Sequence, residues 1–215
     1  MVRSRQNKEA GRAYAGESAA QRLERQRRQF LDAGLELFGT VGYRASTVRA
    51  LCKQAGLIDR YFYKNFRDTE DLLVAVYVEA MDQVQARVMR AVASAGADRP
   101  DQLIEAGLDA FFGAIENRRV ARVCWLEVLG VSPRIDEMYT RRVQQFADLM
   151  LALARELLPR WPLADEEARV TGIAIVGAIS QSAMHWLLED YRTPRATLVR
   201  ANARLIRGVM EALPH

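Results

Sequence analysis

Apolar residues recur every three or four positions along most of the chain, and this spacing limits the fold more than any other feature. Phe30, Gly34, Leu37, Phe38 and Val41, for example, fall on one face of a helix. The sequence shows no sustained alternation of apolar and polar residues, which would indicate strands. It therefore predicts an all-α fold of about nine helices without a sheet.

Glycines and capping residues divide this pattern into separate helices. Gly42 ends the first predicted helix, and Gly56 ends a short second helix that Ser46 or Thr47 caps. Asp68 is a good cap for a long fourth helix. The helices after Gly42 are expected at about 47–55, 58–66, 69–95, 100–116, 118–129, 133–158, 165–190 and 194–213.

Charge is distributed unevenly along the chain. Residues 1–68 hold 14 of the 31 Lys and Arg residues and 7 of the 27 Asp and Glu residues, which gives a net charge of +7. The other 147 residues hold 17 basic and 20 acidic side chains, a net charge of −3. This asymmetry is typical of a segment that binds a polyanion and is joined to a body with another task.

Chemically reactive side chains are scarce. The chain has two cysteines, Cys52 and Cys124, and two histidines, His185 and His215. The chain therefore has few side chains that could form a metal site or a catalytic triad. The sequence also has neither a nucleophile motif nor a glycine-rich phosphate loop. We expect no enzymatic activity, no metal and no cofactor.

Two segments bear on localisation. The first, residues 1–21, is predicted to be a flexible basic arm, because it lacks the apolar run of a secretory signal. The second, Val170–Leu188, carries no charge and is long enough to span a bilayer, but polar residues interrupt it and acidic residues flank both ends. We expect it to be buried inside the protein or between two subunits, and the protein to be cytoplasmic without a membrane partner.

The basic third contains the pattern of a helix-turn-helix. Two short helices are joined by a tight turn at Ala55–Leu57, and Gly56 permits a positive φ there. In the second of these helices, Phe62 and Phe66 share an inward face. Arg60 and Lys64 then face outward, and such a surface suits the bases and phosphates of a DNA major groove.

At these residues the chain resembles a known family. Residues 23–76 are similar to the DNA-binding domain of TetR-family (tetracycline-repressor-like) bacterial regulators. The resemblance implies a helix-turn-helix domain at 22–68 and a regulatory and dimerisation domain at 69–215. It rests on the order and spacing of several segments, namely Phe30–Phe38, Gly42–Tyr43, Thr47–Arg49, Ala55–Leu57, Phe62–Phe66 and Glu70–Leu73.

The resemblance also implies roles for individual residues in contact with double-stranded DNA. Thr47, Tyr63 and Lys64 match phosphate-contacting positions, whereas Arg60 and Tyr61 match variable positions that read bases. The expected DNA-binding set is Thr47, Arg49, Arg60, Tyr61, Tyr63, Lys64 and Arg67.

The chain departs from the family pattern at two positions of this domain. Ile58 replaces a frequent Ser or Thr cap of the third helix, so Asp59 is expected to take over some capping. Thr69 replaces a frequent Lys, for which Arg67 or the basic arm is expected to compensate. Two readings stay open for the arm and for the arginines of the first helix: contact with DNA, or solubility alone.

A dimer is expected because a single helix-turn-helix reads few base pairs. Two copies related by a two-fold axis read a palindrome with half-sites about 34–36 Å apart or a multiple of it. The last two helices combine small residues with apolar ones, so they suit a four-helix bundle between subunits, as the resemblance also implies. The candidate interface residues are Ile173, Val176, Gly177, Ser180, Met184, Leu198, Leu205 and Val209.

The middle helices are expected to enclose a pocket for a small-molecule effector of unknown identity. Gln181 and His185 are polar and four residues apart in the uncharged segment. They either satisfy each other across the dimer interface or orient a ligand. The candidate pocket residues are Phe111, Phe112, Ile115, Trp125, Met138, Tyr139, Met150, Gln181, His185 and Trp186.

These observations predict a sequence-specific transcriptional regulator, a repressor that an effector releases from a palindromic operator. The alternative is a helical module that binds small molecules or other proteins without specific DNA binding. An enzyme is the least supported reading, because the chain has few reactive side chains.

Overall fold

The computed structural model describes residues 18–96, 99–157 and 162–213. In this part of the chain nine α-helices and a short 3₁₀ turn, Tyr43–Ala45, are present and no strand is found, which confirms the predicted all-α fold. The helices are α1 (Ala19–Thr40), α2 (Val48–Ala55), α3 (Asp59–Asn65), α4 (Thr69–Ala95), α5 (Pro100–Ile115), α6 (Arg118–Trp125), α7 (Pro133–Leu157), α8 (Asp165–Leu188) and α9 (Arg195–Glu211).

The first helix begins earlier than the end of the predicted basic arm. Ser18 accepts a hydrogen bond from the backbone N–H of Gln21, and the Gln21 side chain accepts one from the N–H of Ser18. This capping box satisfies two donors that the start of a helix leaves free, so α1 starts at Ala19. Most of the predicted arm, residues 1–17, lies outside the described residues.

The structure settles two other predicted boundaries. Thr47, not Ser46, caps α2, because its side chain accepts from the N–H of Ala50 while the Ser46 hydroxyl donates to the carbonyl of Gly42. The helix predicted at 118–129 ends at Trp125. There the N–H groups of residues 126 and 127 both bond to the carbonyl of Arg122, and the chain turns away.

Three aromatic rings fix α3 on α1. The ring of Phe30 meets those of Phe62 and Phe66 edge-on, at centroid distances of 5.3 and 6.3 Å. All three side chains are buried, as the spacing of Phe62 and Phe66 predicts. Such edge-to-face pairs stabilise a packing by about 0.5–1.5 kcal/mol beyond the burial of their surface.

The helix-turn-helix unit joins the body through α1, which packs on α4 and α6. Two glycines of α1 allow this close approach. A Cβ atom on Gly39 would lie 2.6 Å from the Cα of Arg119 in α6, and one on Gly34 would lie 2.8 Å from the Val76 side chain in α4. The remaining helices form the body, in which α5 packs between α4 and α9 while α7 lies along α8.

Replacing Gly39 with alanine should loosen this junction. The new methyl group would overlap the backbone of α6, and overpacking of this kind costs about 1–3 kcal/mol. We expect Gly39→Ala to lower the free energy of unfolding by that amount in urea denaturation. Gly113→Ala is the matched control, because its methyl would meet only the flexible ends of Arg87 and Arg195. Equal stability of the two variants would contradict the close approach.

Candidate nucleic-acid interface and ligand cavity

The outer face of α3 presents the side chains that the sequence predicts for DNA contact. Arg60, Tyr63 and Lys64 are exposed, and Tyr61 is half-buried. The Lys64 ammonium lies 5.8 Å from the centre of the Tyr61 ring. Because the opposite face is held by buried phenylalanines, this polar face points away from the protein.

The start of α2, a short distance before α3 in the chain, carries two more of the residues predicted for DNA contact. Thr47 and Arg49 are exposed, and the Thr47 oxygen accepts the capping hydrogen bond, so its hydroxyl proton stays available to a phosphate. At the start of α3, Ile58 occupies the capping position without a side-chain hydrogen bond. The Asp59 carboxylate accepts instead from the N–H of Arg60 at 2.8 Å.

Arg67 takes part in an ion pair within the protein. Its guanidinium lies 3.2 Å from the carboxylate of Asp71, which also accepts from Arg134 at 2.9 Å. Two arginines of α1 are likewise engaged. Arg27 stacks on the ring of Phe66 at the end of α3, and Arg28 pairs with Glu79 of α4.

A small cavity of about 30 Å³ lies between α4, α6, α7 and α8. Its lining is mainly apolar and aromatic, with one cationic side chain, and consists of Tyr77, Met81, Cys124, Trp125, Tyr139, Arg142, Val143, Phe146, Val176 and Ser180. Trp125 and Tyr139 are therefore the predicted pocket residues that line it. Val176 and Ser180, expected at the dimer interface, line it as well.

The other predicted pocket residues lie elsewhere. Phe112, Ile115 and Trp186 are buried in the core between helices, and Phe111, Met138 and Met150 pack against its edge. Gln181 and His185 are exposed on the outer face of α8, and the His185 ring is 2.8 Å from the Glu189 carboxylate. The structure does not bring these two side chains to the cavity.

Arg142 is the cavity residue that sequence reasoning missed. Its side chain is 13% exposed and pairs with Asp82 at 2.9 Å. Burial raises the pKa of Cys124 to about 12 and also raises the pKa of Tyr77, so both groups are neutral at pH 7. Arg142 thus gives the cavity wall its charge. The signal in the sequence is an arginine at a helix position where an apolar residue is expected.

The outer faces of α8 and α9 leave large apolar side chains in contact with water. Val170 and Leu188 of α8 and Leu205 of α9 are 54%, 60% and 44% exposed. Gly177 is also exposed, whereas Ile173, Met184, Leu198 and Val209 are half-buried. By length and composition α8 could cross a membrane, but core helices of soluble proteins have the same length and composition. In the protomer, 28% of its most apolar stretch of 18 residues is buried.

The residues that the structure describes offer little for metal chemistry. Within 18–96, 99–157 and 162–213, no three His, Cys, Asp or Glu side chains come together as a metal site would require.

The comparison with known proteins supports the interpretation of the front domain. Residues 30–76 match the sequence profile described as bacterial regulatory proteins of the tetR family. The front of the chain therefore carries a helix-turn-helix domain of the TetR type. The protein is a DNA-binding transcriptional regulator.

Individual relatives agree with this assignment. The fatty acid metabolism regulator protein of Bacillus subtilis is 37% identical over 60 residues, which are 28% of this chain and 31% of that protein. The HTH-type transcriptional activator FasR of Mycolicibacterium smegmatis is 24% identical over 207 residues, 94% of this chain and 92% of that protein.

A solved structure shows the same fold over most of the chain. The transcriptional regulator FadR from Bacillus subtilis, solved in complex with stearoyl-CoA, superposes with a TM-score of 0.68 at 18% identity. The match covers 83% of this chain and 96% of that one.

Proposed function

We propose that this TetR-family regulator is a homodimeric repressor that acts in the cytoplasm and that an effector releases from a palindromic operator. The observation that carries the DNA-binding part is the outer face of α3. It presents Arg60, Tyr63 and Lys64 from an anchor of buried phenylalanines. Arginine can bond to guanine in the major groove, while lysine and the tyrosine hydroxyl suit phosphates.

The dimer part rests on the exposed apolar face of α8 and α9. Val170, Leu188 and Leu205 would be costly to leave in water, and a patch of this kind marks a protein interface. A Cβ atom on Gly177 would meet nothing within 4 Å in the protomer, so this part of α8 is open to a second copy. Small residues at the centre of such a face allow two helices to approach closely. Gln181 and His185 lie on this face and are proposed to meet their counterparts.

The effector part rests on the cavity and on the relatives. Aromatic walls with the Arg142 guanidinium suit a molecule that has an apolar chain and an anionic or strongly polar group. The relative from Bacillus subtilis is named for fatty acid metabolism, and the FadR structure holds stearoyl-CoA. We therefore propose a fatty acyl thioester as the effector class.

The small volume of the cavity also suggests how the effector acts. At about 30 Å³ it is far smaller than the several hundred Å³ that an acyl chain occupies. A bound effector must therefore separate the helices around it. A ligand that binds only the opened state shifts the population toward that state, which then holds DNA less well.

Removing the two outward cations of α3 should abolish specific binding. We expect Arg60→Ala/Lys64→Ala to lose affinity for an operator duplex selected from random DNA, as measured by fluorescence anisotropy. The wild type should show a steep negative slope of binding constant against salt concentration. Arg90→Ala/Arg141→Ala removes the same charge from exposed positions of the body and should bind normally. Undiminished binding by the α3 variant would contradict this role for α3.

A charge at the centre of the α8 face should break the dimer. Gly177→Glu places a carboxylate where the protomer has open space, so the fold should persist while two like charges meet near the two-fold axis. We expect a monomer in sedimentation equilibrium and weakened operator binding. Ala86→Glu, on an exposed position of α4, is the control and should stay dimeric. A dimeric Gly177→Glu variant would place the interface elsewhere.

The charge of Arg142 should contribute to effector binding. Because hydrogen bonds to charged groups contribute about 1.5–3 kcal/mol, Arg142→Met should weaken stearoyl-CoA binding by about tenfold or more in calorimetric titration. Arg141→Met is the matched control, since this neighbour points outward and is 68% exposed. If both variants bind as the wild type does, the anionic group is not held at Arg142. If the wild type binds no stearoyl-CoA, the acyl thioester class is wrong.

A further inference from the structure

The connection between α6 and α7, residues 126–132, lies next to the helix-turn-helix unit. We call it the connector. Together with the helix ends on either side, it makes two contacts, one with that unit and one with the segment that directly follows it. The first is with the turn between α1 and α2, and the second is with the start of α4, directly after the recognition helix α3. The two contacts therefore lie on both sides of the DNA-reading helices in the chain.

The first contact is made by Glu127. One of its carboxylate oxygens accepts from the backbone N–H of Tyr43 at 2.7 Å, and the other accepts from Arg122 at 2.8 Å. Arg122 in turn donates to the carbonyl of Thr40 at 2.7 Å. A side chain on Gly42, which has a φ of 95°, would lie 3.2 Å from the Glu127 carboxylate, so glycine fits this close approach.

The second contact is made by Arg134 in the first turn of α7. Its guanidinium lies 2.9 Å from Asp71 and 3.6 Å from Glu70, both in the first turn of α4. Arg134 shares Asp71 with Arg67, which lies just after α3 and donates to the same carboxylate oxygen. Partial burial raises the pKa of Asp71, but hydrogen bonds from Arg134 and Arg67 outweigh this effect, and the pKa is lowered.

Both ends of the connector continue into the walls of the ligand cavity. Cys124 and Trp125 line the cavity just before it, and Tyr139 and Arg142 line the cavity about one to three turns into α7. Val128 and Ile135 are fully buried and tie the connector to the body. A displacement of α6 or α7 by a ligand therefore moves the connector.

The space between the connector and the α1–α2 turn is not filled by packing. A groove of about 350 Å³ lies there, and Val41, Leu126 and Leu129 on its walls are exposed. Close-packed interiors resist movement, whereas polar contacts across an open groove can break and reform. The hydrogen bonds of Arg122 and Glu127 thus hold a junction that has room to move.

We propose that Asp71 is an exchange point that couples the cavity to DNA binding, with Arg134 and Arg67 competing for its carboxylate. While Arg134 shares Asp71, the Arg67 side chain makes one hydrogen bond to it at 3.2 Å, and the rest of this guanidinium, in a side chain that is 72% exposed, is available to a DNA phosphate. When an effector displaces α7 and Arg134 withdraws, the carboxylate of Asp71 binds Arg67 fully and removes this phosphate contact. Glu127 holds the other side of the unit. This inference rests on the proposed function and adds the route by which the cavity acts on DNA.

The test is a double-mutant cycle that requires no effector. Operator affinity is measured for the wild type, Arg134→Gln, Asp71→Asn and the double variant, with the selected duplex and anisotropy assay. We expect Arg134→Gln to bind about fivefold more weakly, a loss of the size typical for coupled sites. In the double variant, the neutral amide at position 71 no longer competes for Arg67, so affinity should return to the level of Asp71→Asn. Arg141→Gln controls for the lost charge.

The outcomes separate this exchange from a structural role. If Arg134 only stabilised the fold through its pair with Asp71, Asp71→Asn alone would weaken operator binding as much as Arg134→Gln, the double variant would regain no affinity, and thermal unfolding midpoints would fall in parallel. That pattern, or wild-type affinity of Arg134→Gln, overturns the proposal while the proposed function stands. A chain that selects no DNA duplex overturns the proposed function, and this inference with it.

Discussion

The contact between the Phe30 and Phe62 rings determines which way the recognition helix faces. The rings meet at 90° with their centres 5.3 Å apart, so α3 has one rotation about its axis that keeps Phe62 buried. Arg60 and Lys64, two positions to either side, must then face outward. The two glycines of α1 extend this arrangement, because they let the same helix lie directly on α4 and α6. The recognition helix α3 and the regulatory body therefore both pack against α1.

Periodicity and capping chemistry made the front of the molecule predictable from the sequence. Its elements carry strong local signals, such as the left-handed Gly56 or the Asp68 cap, and local signals do not depend on distant partners. The predicted inward position of Phe62 and Phe66 follows from their spacing alone. The predicted α6 ran too long, because the turn after Trp125 depends on tertiary contacts of the residues that follow.

The cavity was less predictable, because periodicity shows which face of a helix is apolar but not which helix it meets. Gln181 and His185 share a face of α8, yet the structure turns that face outward and brings Val176 and Ser180 to the cavity instead. Arg134 and Asp71 are 63 positions apart. Ion pairs of this range depend on the mutual placement of whole helices, which a single sequence does not encode locally.

The small volume of the cavity has a consequence for the concentration at which the regulator responds. If ligand binds only the opened protein, the apparent dissociation constant is the intrinsic one divided by the open fraction. Packing between α7 and α8, where Leu151 lies against Gly172, therefore contributes to the response threshold without touching the ligand. Substitutions at this contact between α7 and α8 can therefore change the effector concentration at which the regulator responds, while the effector that it recognises stays the same.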